Sequence, residues 1–287
     1  MKYAFMAEYS QEFPIVLMAR VLGVSSSGYY DWCGRGNDGV RAQWRAELDQ
    51  WVKQTFAQHK DRYGAPRIGA ELNDEGFKCD VKAVAASLRR QCLVARAGRK
   101  FKATTNSNHK LDVAPNLLEQ DFSTTQVNQK WVQDITYCAT DEGWLYLAVV
   151  IDLHSRRVIG GAMGKRMKAQ LVCDALQMAL YARCLPRNVI VHSDRGSQYC
   201  SNKYRRLVER HSLQWSMSKR GDCYDNACAE TFFHSLKVEL TQGERYATRT
   251  ELKAELFQYI EAYYNNVRRH SALNYVNPAA FEQTLVA

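Results

Sequence analysis

The sequence predicts an α/β domain on one mixed sheet, preceded by a small all-α region. Three observations carry the prediction. Short apolar runs of strand length alternate with helical periods over 129–245. The first 110 residues show helical spacing and many basic side chains. Between them, residues 103–128 are polar, contain a proline and hold no sustained period, as a linker does.

Taken in order, residues 1–40 form a small helical, helix-turn-helix-like segment. In "FPIVLMARVLGVSSSGYYDW" Gly23 breaks a short helix and Ser25–Ser27 offer a cap for the next. Residues 41–102 form a helix-turn-helix domain. Trp44, Leu48, Trp51 and Thr55 follow helical spacing, and "YGAPRIGAELNDEGFKCDVKAVAASLRR" reads as helix, turn, helix. There Gly76 suits the end of one helix and Asp80 the N-cap of the next, with Ile68, Leu72, Val84 and Leu88 facing a core.

Within 129–245, "KWVQDITYC" reads as a strand and "WLYLAVVID" as a strand buried on both faces. "RVIGGAM" follows a tight link as its hairpin partner. Leu171, Ala175, Met178 and Ala182 mark a helix, "NVIVHSD" a short strand, Tyr204 to His211 a helix and "LQWSMS" a last strand. Residues 246–287 hold a further helix, 250–266, and a polar, basic tail.

With 46% hydrophobic and 24% charged residues the chain has the composition of a globular protein, and no apolar run is long enough to span a bilayer. The start of the chain has acidic residues where a signal peptide would be apolar, so a cytoplasmic location is expected, with no membrane partner. Nine cysteines without a CxxC pair read as reduced thiols, not as disulfides or a zinc site. A net charge of +9 favours a polyanionic partner. Residues 87–110 hold seven Lys/Arg and no acid, which suits either a solvated linker or a nucleic-acid contact.

Three acids are out of place for a plain core. Asp134 lies inside a strand, Asp194 ends another in "HSDRGSQY", and Glu230 opens the helix "DNACAETFFHSLKVEL", capped by Asp225 or Asn226. Each has an ordinary reading: a partner for a buried group, an Asx turn, a favourable charge at a helix start. Asp152, at the end of "VVID", reads as a turn residue. Ala229, Phe232, Phe233, Leu236 and Leu240 form the stripe that docks the helix, with Glu230, His234 and Lys237 on its flank. Together, Asp134, Asp194 and Glu230 would make an all-oxygen site for Mg²⁺ or Mn²⁺, suited to two ions acting on a phosphodiester. Lys237 would touch a phosphate.

Asp134, Asp194 and Glu230, with 35 residues between the last two and Lys237 seven beyond, resemble the D,D(35)E core of retroviral integrases and transposases. "WVQDITY", "GWLYLAVVIDLHSRRVIG", "HSDRGSQY", "SMSKRGDCYDNACAETFFHSLKVEL" and "YYNNVRRHSALNYVNP" resemble more closely the second-reading-frame subunit of insertion-sequence transposases of the IS3 type. "RYGAPRIGAEL" and "LGVSSSGYYDW" resemble that family's N-terminal segments. Gln133 and Cys228 depart from the family's usual small hydroxyl and aliphatic residues, and neither removes a ligand.

The resemblance implies a ribonuclease-H-like fold, a mixed five-stranded sheet flanked by helices, in which the first and fourth strands are neighbours. It implies metal-dependent cleavage and strand transfer at the terminal repeats of an insertion sequence. DNA contacts then fall to Arg67, Arg89, Arg90 and Lys237. The implied partners are terminal-repeat and target DNA, an upstream-frame subunit or fusion, and further copies of the chain on DNA. A DNA-binding regulator with an inactive core, and a nuclease on the same fold, are the competing readings.

Overall fold

The structure is a computed structural model that describes residues 1–34, 39–97, 112–219 and 224–284. The basic stretch 98–111, and with it the end of the expected helix-turn-helix domain and the start of the expected linker, lies outside the described residues. The chain divides into two compact units, Met1–Ala95 and Arg96–Ala287.

The first unit is all helical: α1 Lys2–Glu8, α2 Ile15–Leu22, α3 Ser26–Gly34, α4 Val40–Gln58, α5 Ala65–Asp74 and α6 Val81–Arg90. Gly23 closes α2 at φ 63°, and the Ser25 hydroxyl accepts from the Gly28 amide to start α3, as the sequence predicts. Met6, Met18, Ala19 and Tyr29 form the small core of these three helices. In α4 the buried seam is Leu48, Val52, Thr55 and Phe56. Trp44 and Trp51 sit on its flank against Phe77, so the predicted stripe is rotated by part of a turn. Asp80 caps α6 by accepting from the Ala83 amide at 2.6 Å.

After α6, Cys92 adopts φ 55°, and the Leu93 amide donates to the Leu88 carbonyl. A cysteine thus occupies the left-handed position that glycine fills without strain.

The second unit holds β1 Lys130–Thr140, β2 Gly143–Asp152, β3 Val158–Gly164, α7 Ala169–Ala182, β4 Ile190–Ser193, α8 Asn202–Arg210, β5 Gln214–Met217, α9 Ala227–Leu236, α10 Arg249–Phe257 and α11 Pro278–Gln283. The five strands make one mixed sheet in the order β3-β2-β1-β4-β5. β1, β2 and β3 run antiparallel, and β4 lies parallel to both β1 and β5.

Alternation in the strands feeds two cores. Trp131, Ala148, Val150 and Val191 face α7 and α8. Val132, Leu145, Leu147, Val149 and Ile151 face α9 and α10. β2 is buried on both faces from Leu147 to Asp152, as its unbroken apolar run requires. Each such leucine, valine or isoleucine contributes about 1.5–3 kcal/mol by leaving water.

Two details differ from the sequence reading. In α7 the buried face is Leu171, Val172, Ala175, Leu176, Ala179 and Leu180, while Met178 is largely exposed. Close approach to β3 sets that face: a Cβ on Gly160 would come within 2.8 Å of the Ala179 backbone and side chain. In addition, the described part of the expected linker is docked. Ala114 and Leu118 are buried, and the Pro115 carbonyl accepts from Met217, covering the outer edge of β5.

The basic tail is also largely structural. α9 runs into a π-helical turn, Lys237–Thr241, and α10 into another, Gln258–Tyr264. The carboxylate of Glu239, on the first, takes a bidentate guanidinium from Arg268 and the hydroxyl of Tyr259, on the second. Arg268 is only 3% exposed. Asn265 donates to the Val158 carbonyl and accepts from its amide, pairing with the free edge of β3 as a strand would.

Candidate active site

The site is built where the β1–β4 ladder ends. The paired positions are Lys130 with Ile190, Trp131 with Val191 and Val132 with His192. Asp134 and Asp194 therefore lie at equivalent levels, two residues past the last pair, Asp134 within β1 and Asp194 just past the end of β4. Side chains take over the ladder bonds there. The Asn226 amide donates to the Gln133 carbonyl at 3.2 Å, and the Asp134 carboxylate accepts from the Ile135 amide at 2.7 Å. Asn226 is thus the residue at the N-terminus of α9, but its side chain serves β1 instead of capping the helix.

Asp194 accepts from the Gly196 amide at 3.0 Å, the Asx turn expected of "HSDRG". The turn and the site are compatible, because the turn holds the carboxylate at the tip. A Cβ on Gly196 would lie 3.0 Å from the Asp194 Oδ1 and 3.7 Å from the Tyr199 ring, so the close packing of this loop requires glycine. Arg195 turns away and donates to the Ser218 carbonyl at 2.7 Å. Beneath the tip, His192 is buried between the hydroxyls of Ser216 and Ser218, and burial lowers it to about 4.

The two strand aspartates lie close enough for the charge of Asp194 to act on Asp134. Burial pushes the Asp134 carboxyl well above the ordinary aspartate value. Asp194 and Glu230 push it further, against the Ile135 amide and Lys237. Glu230 stands exposed in the first turn of α9, and shielding from water raises its carboxyl. The Lys237 ammonium lies 5.3 Å from the centre of the Tyr137 ring. His234 is exposed in the last turn of α9. Among the described residues no three His, Cys, Asp or Glu side chains come close enough to hold one metal ion. The charges of Asp194 and Glu230 both reach Asp134.

The donor chemistry fits a hard divalent cation. All three groups are carboxylates, and Asp134 resists ionisation until positive charge is supplied. Asp134 and Asp194 are the pair that would hold such a cation.

Two departures from the family pattern have partners. Gln133 is buried and donates to the Tyr204 hydroxyl at 2.7 Å, and Cys228 receives an N–H of Arg156. Asp152 has a structural role: it is fully buried and accepts from the Asn128 and His154 amides and the Trp131 indole, with Arg183 at 3.8 Å.

In the helical unit the three arginines differ. Arg90 is spent on Asp49 of α4, with its Nη2 at 2.6 Å and its Nε at 3.2 Å, while Ser87 donates to the same carboxylate. Arg67 lies over the Tyr63 ring, 5.6 Å from its centre. Arg89 is exposed and folds back on the Ala85 carbonyl. Sequence reasoning named Asn226 as a helix cap and not as a partner of β1, and it missed Tyr199 and the Glu239–Arg268 pair. Only Tyr199 left a signal, as the aromatic residue that closes "HSDRGSQY".

The five-stranded sheet with one acid within β1 and another at the tip of β4 defines the class of integrase-core proteins. Residues 124–223 match the integrase core domain family, residues 230–285 match a second integrase core domain family, and residues 43–101 match the HTH-like domain family. The chain is 54% identical over 288 residues, spanning 100% of both chains, to transposase InsF for insertion sequence IS3A of Escherichia coli (strain K12). It is 43% identical over 267 residues, 93% of this chain and 97% of the relative, to the insertion element IS600 uncharacterized 31 kDa protein of Shigella sonnei. The chain belongs to the InsF family of insertion-sequence transposases.

Among solved structures, it aligns to the simian T-cell lymphotropic virus intasome in complex with the PP2A regulatory subunit B56 gamma. The TM-score is 0.43 at 16% identity, over 76% of this chain and 69% of that one. The HTLV-2 integrase catalytic core domain in complex with magnesium aligns at TM-score 0.40 and 12% identity, over 56% of this chain and 99% of that one. Among the described residues no helix is long and apolar enough to cross a membrane.

Proposed function

We propose that the protein cuts and rejoins phosphodiester bonds at the ends of its insertion sequence, with Asp134, Asp194 and Glu230 as the carboxylates of the reaction centre. The observation that carries this reading is the meeting of Asp134 and Asp194 beyond the end of the β1–β4 ladder, where each disfavours the other's charge. Bound Mg²⁺ or Mn²⁺, one ion or two, would supply Lewis-acid stabilisation for the attacking and leaving oxygens. Glu230, on α9, completes the set when that helix closes on the strand tips. Lys237 contributes a fixed positive charge toward a phosphate on the same side.

In the first step water attacks a phosphorus atom, and the 3′-oxygen leaves as a free hydroxyl. In the second that hydroxyl attacks a phosphodiester of target DNA, one P–O bond forming as another breaks. Terminal-repeat DNA is held through the HTH-like unit, with Arg89 and Arg67 as the phosphate contacts and Arg90 chiefly structural. The chain works as an oligomer on DNA, with the upstream-frame product as its partner.

The test is joining of a labelled terminal-repeat end to target DNA with Mg²⁺ or Mn²⁺. Asp134→Asn, Asp194→Asn and Glu230→Gln should each remove joining while leaving affinity for the end in place. Near-normal joining by any one of them removes that residue from the reaction centre.

A further inference from the structure

Tyr199 lies on the turn that follows Asp194, its amide donating to the Gly196 carbonyl at 3.0 Å. Its side chain is 1% exposed, yet its hydroxyl has no hydrogen-bond partner. A buried hydroxyl left unpaired is destabilising and calls for a reason. Packing alone offers none. The ring sits in the core shared by α7, α8 and one face of the sheet, where phenylalanine would fill almost the same space. The neighbouring Tyr204, edge-on at 5.4 Å between ring centres, shows the ordinary arrangement, with its hydroxyl bonded to Gln133.

What surrounds Tyr199 identifies its use. One point in space, the Cβ position of Gly196, is 3.0 Å from the Asp194 carboxylate and 3.7 Å from the Tyr199 ring, so a ring edge and the carboxylate flank the same glycine. The charged groups that act on the phenol are Asp134 and Asp194, after burial itself, and all three raise it far above the ordinary tyrosine value. Carboxylates are the acceptors nearest in chemistry to a lone O–H donor, and ionised ones accept most strongly.

We propose that Tyr199 is a positioning residue for the candidate reaction centre: its unspent hydroxyl donates to the Asp194 or Asp134 carboxylate when a divalent cation is held there, and so orients that ligand. The inference rests on the metal-holding reading of Asp134 and Asp194. In the absence of a cation the hydroxyl is held in reserve, and its cost is the cost of a preorganised second shell.

The experiment uses the full chain and reads the thermal midpoint against MnCl₂ concentration, with strand transfer measured on the same samples. Wild type should gain stability with Mn²⁺, and Asp134→Asn should abolish the gain. Tyr199→Phe should have an equal or higher midpoint without metal and need about 10–100-fold more Mn²⁺ for the same gain, with joining lowered in parallel. Tyr204→Phe should leave the Mn²⁺ response at the wild-type value. An unchanged Mn²⁺ response in Tyr199→Phe overturns the proposal. So does a lower metal-free midpoint, because the hydroxyl would then have a partner in the free protein. An equal shift in Tyr204→Phe overturns it as well, by assigning the effect to core packing. If wild type itself gains nothing from Mn²⁺ that Asp134→Asn removes, the metal-holding reading fails and the role of Tyr199 falls with it.

Discussion

Glu239 and Asp134 lie on the same unit, one on the π-helical turn that prolongs α9 and the other on the strand beneath that helix. Glu239 meets a bidentate Arg268 and the hydroxyl of Tyr259, and the buried guanidinium is held protonated against desolvation by that carboxylate. Asp134 meets burial and then Asp194, both of which disfavour its charge. Glu282 follows Glu239, lowered on balance by Arg183, whereas Asp152 is raised by burial although Arg183 lies 3.8 Å away. Glu239 is thus matched with a cation at close range, whereas Asp134 is set against another acid. That contrast separates scaffold from reaction centre more sharply than residue type does.

The largest effect expected is on chemistry. Asp134→Asn should lower strand transfer by at least about a thousandfold. Without divalent cation it should not lower the thermal midpoint, since it removes an unfavourable charge. The sign can be read from pH. The folded value of Asp134 lies above the unfolded one, so wild type should lose stability as pH rises from about 4 upward, and Asp134→Asn should lack that loss. Equal pH profiles for the two proteins would break the contrast.

The complementary change is next in size. Glu239→Gln leaves Arg268 charged and buried and should cost about 3–5 kcal/mol in urea unfolding. A combined Glu239→Leu and Arg268→Met variant should recover most of that loss, because both desolvated charges are gone. If Glu239→Gln were neutral, the pair would not be the anchor that the π turns build around.

His192 provides a titration of opposite sign to Asp134. Its folded value of about 4 lies below the unfolded one near 6.5. Stability should therefore fall as pH drops from about 6.5 to about 4, by about 3 kcal/mol at most, and level off below. His192→Asn should flatten that limb of the unfolding curve.

In the helical unit, Arg89→Ala should weaken binding to terminal-repeat DNA and reduce the salt slope by about 1, with the melting temperature unchanged. Arg90→Ala should chiefly lower stability, by up to about 1 kcal/mol, because its partner is Asp49. A slope change of equal size in both variants would return Arg90 to the DNA contacts. Of similar size is Cys92→Gly, which should stabilise this unit by about 1 kcal/mol by relieving the left-handed backbone at that position.

Much of the fold was legible because its signals are local. The apolar run of β2, the cap at Asp80, the break at Gly23 and the stripe of Phe232, Phe233 and Leu236 depend on residues within a few positions of each other. Met178 shows the limit. Its spacing placed it on the buried face of α7, but which face is buried depends on how closely β3 approaches, and glycines at a distance in sequence set that. Arg268 shows it more strongly. Within "NNVRRH" it reads as one more surface cation, and only the return of the chain to Glu239 makes it a core residue.

By itself the sequence determined the element order, the polyanion-seeking charge and the three acids with their spacing, because periodicity, composition and motif are properties of the chain. Tertiary structure alone decided which acids meet, which are neutralised and which donors stay unspent. Parallel pairing of β1 with β4 ends at Val132 and His192, and this sets Asp134 and Asp194 at equivalent levels beyond it. It also leaves the Tyr199 hydroxyl buried beside them without a partner. Electrostatic energy and desolvation depend on distance in space, and residues 60 or more positions apart acquire that distance only when the sheet has formed.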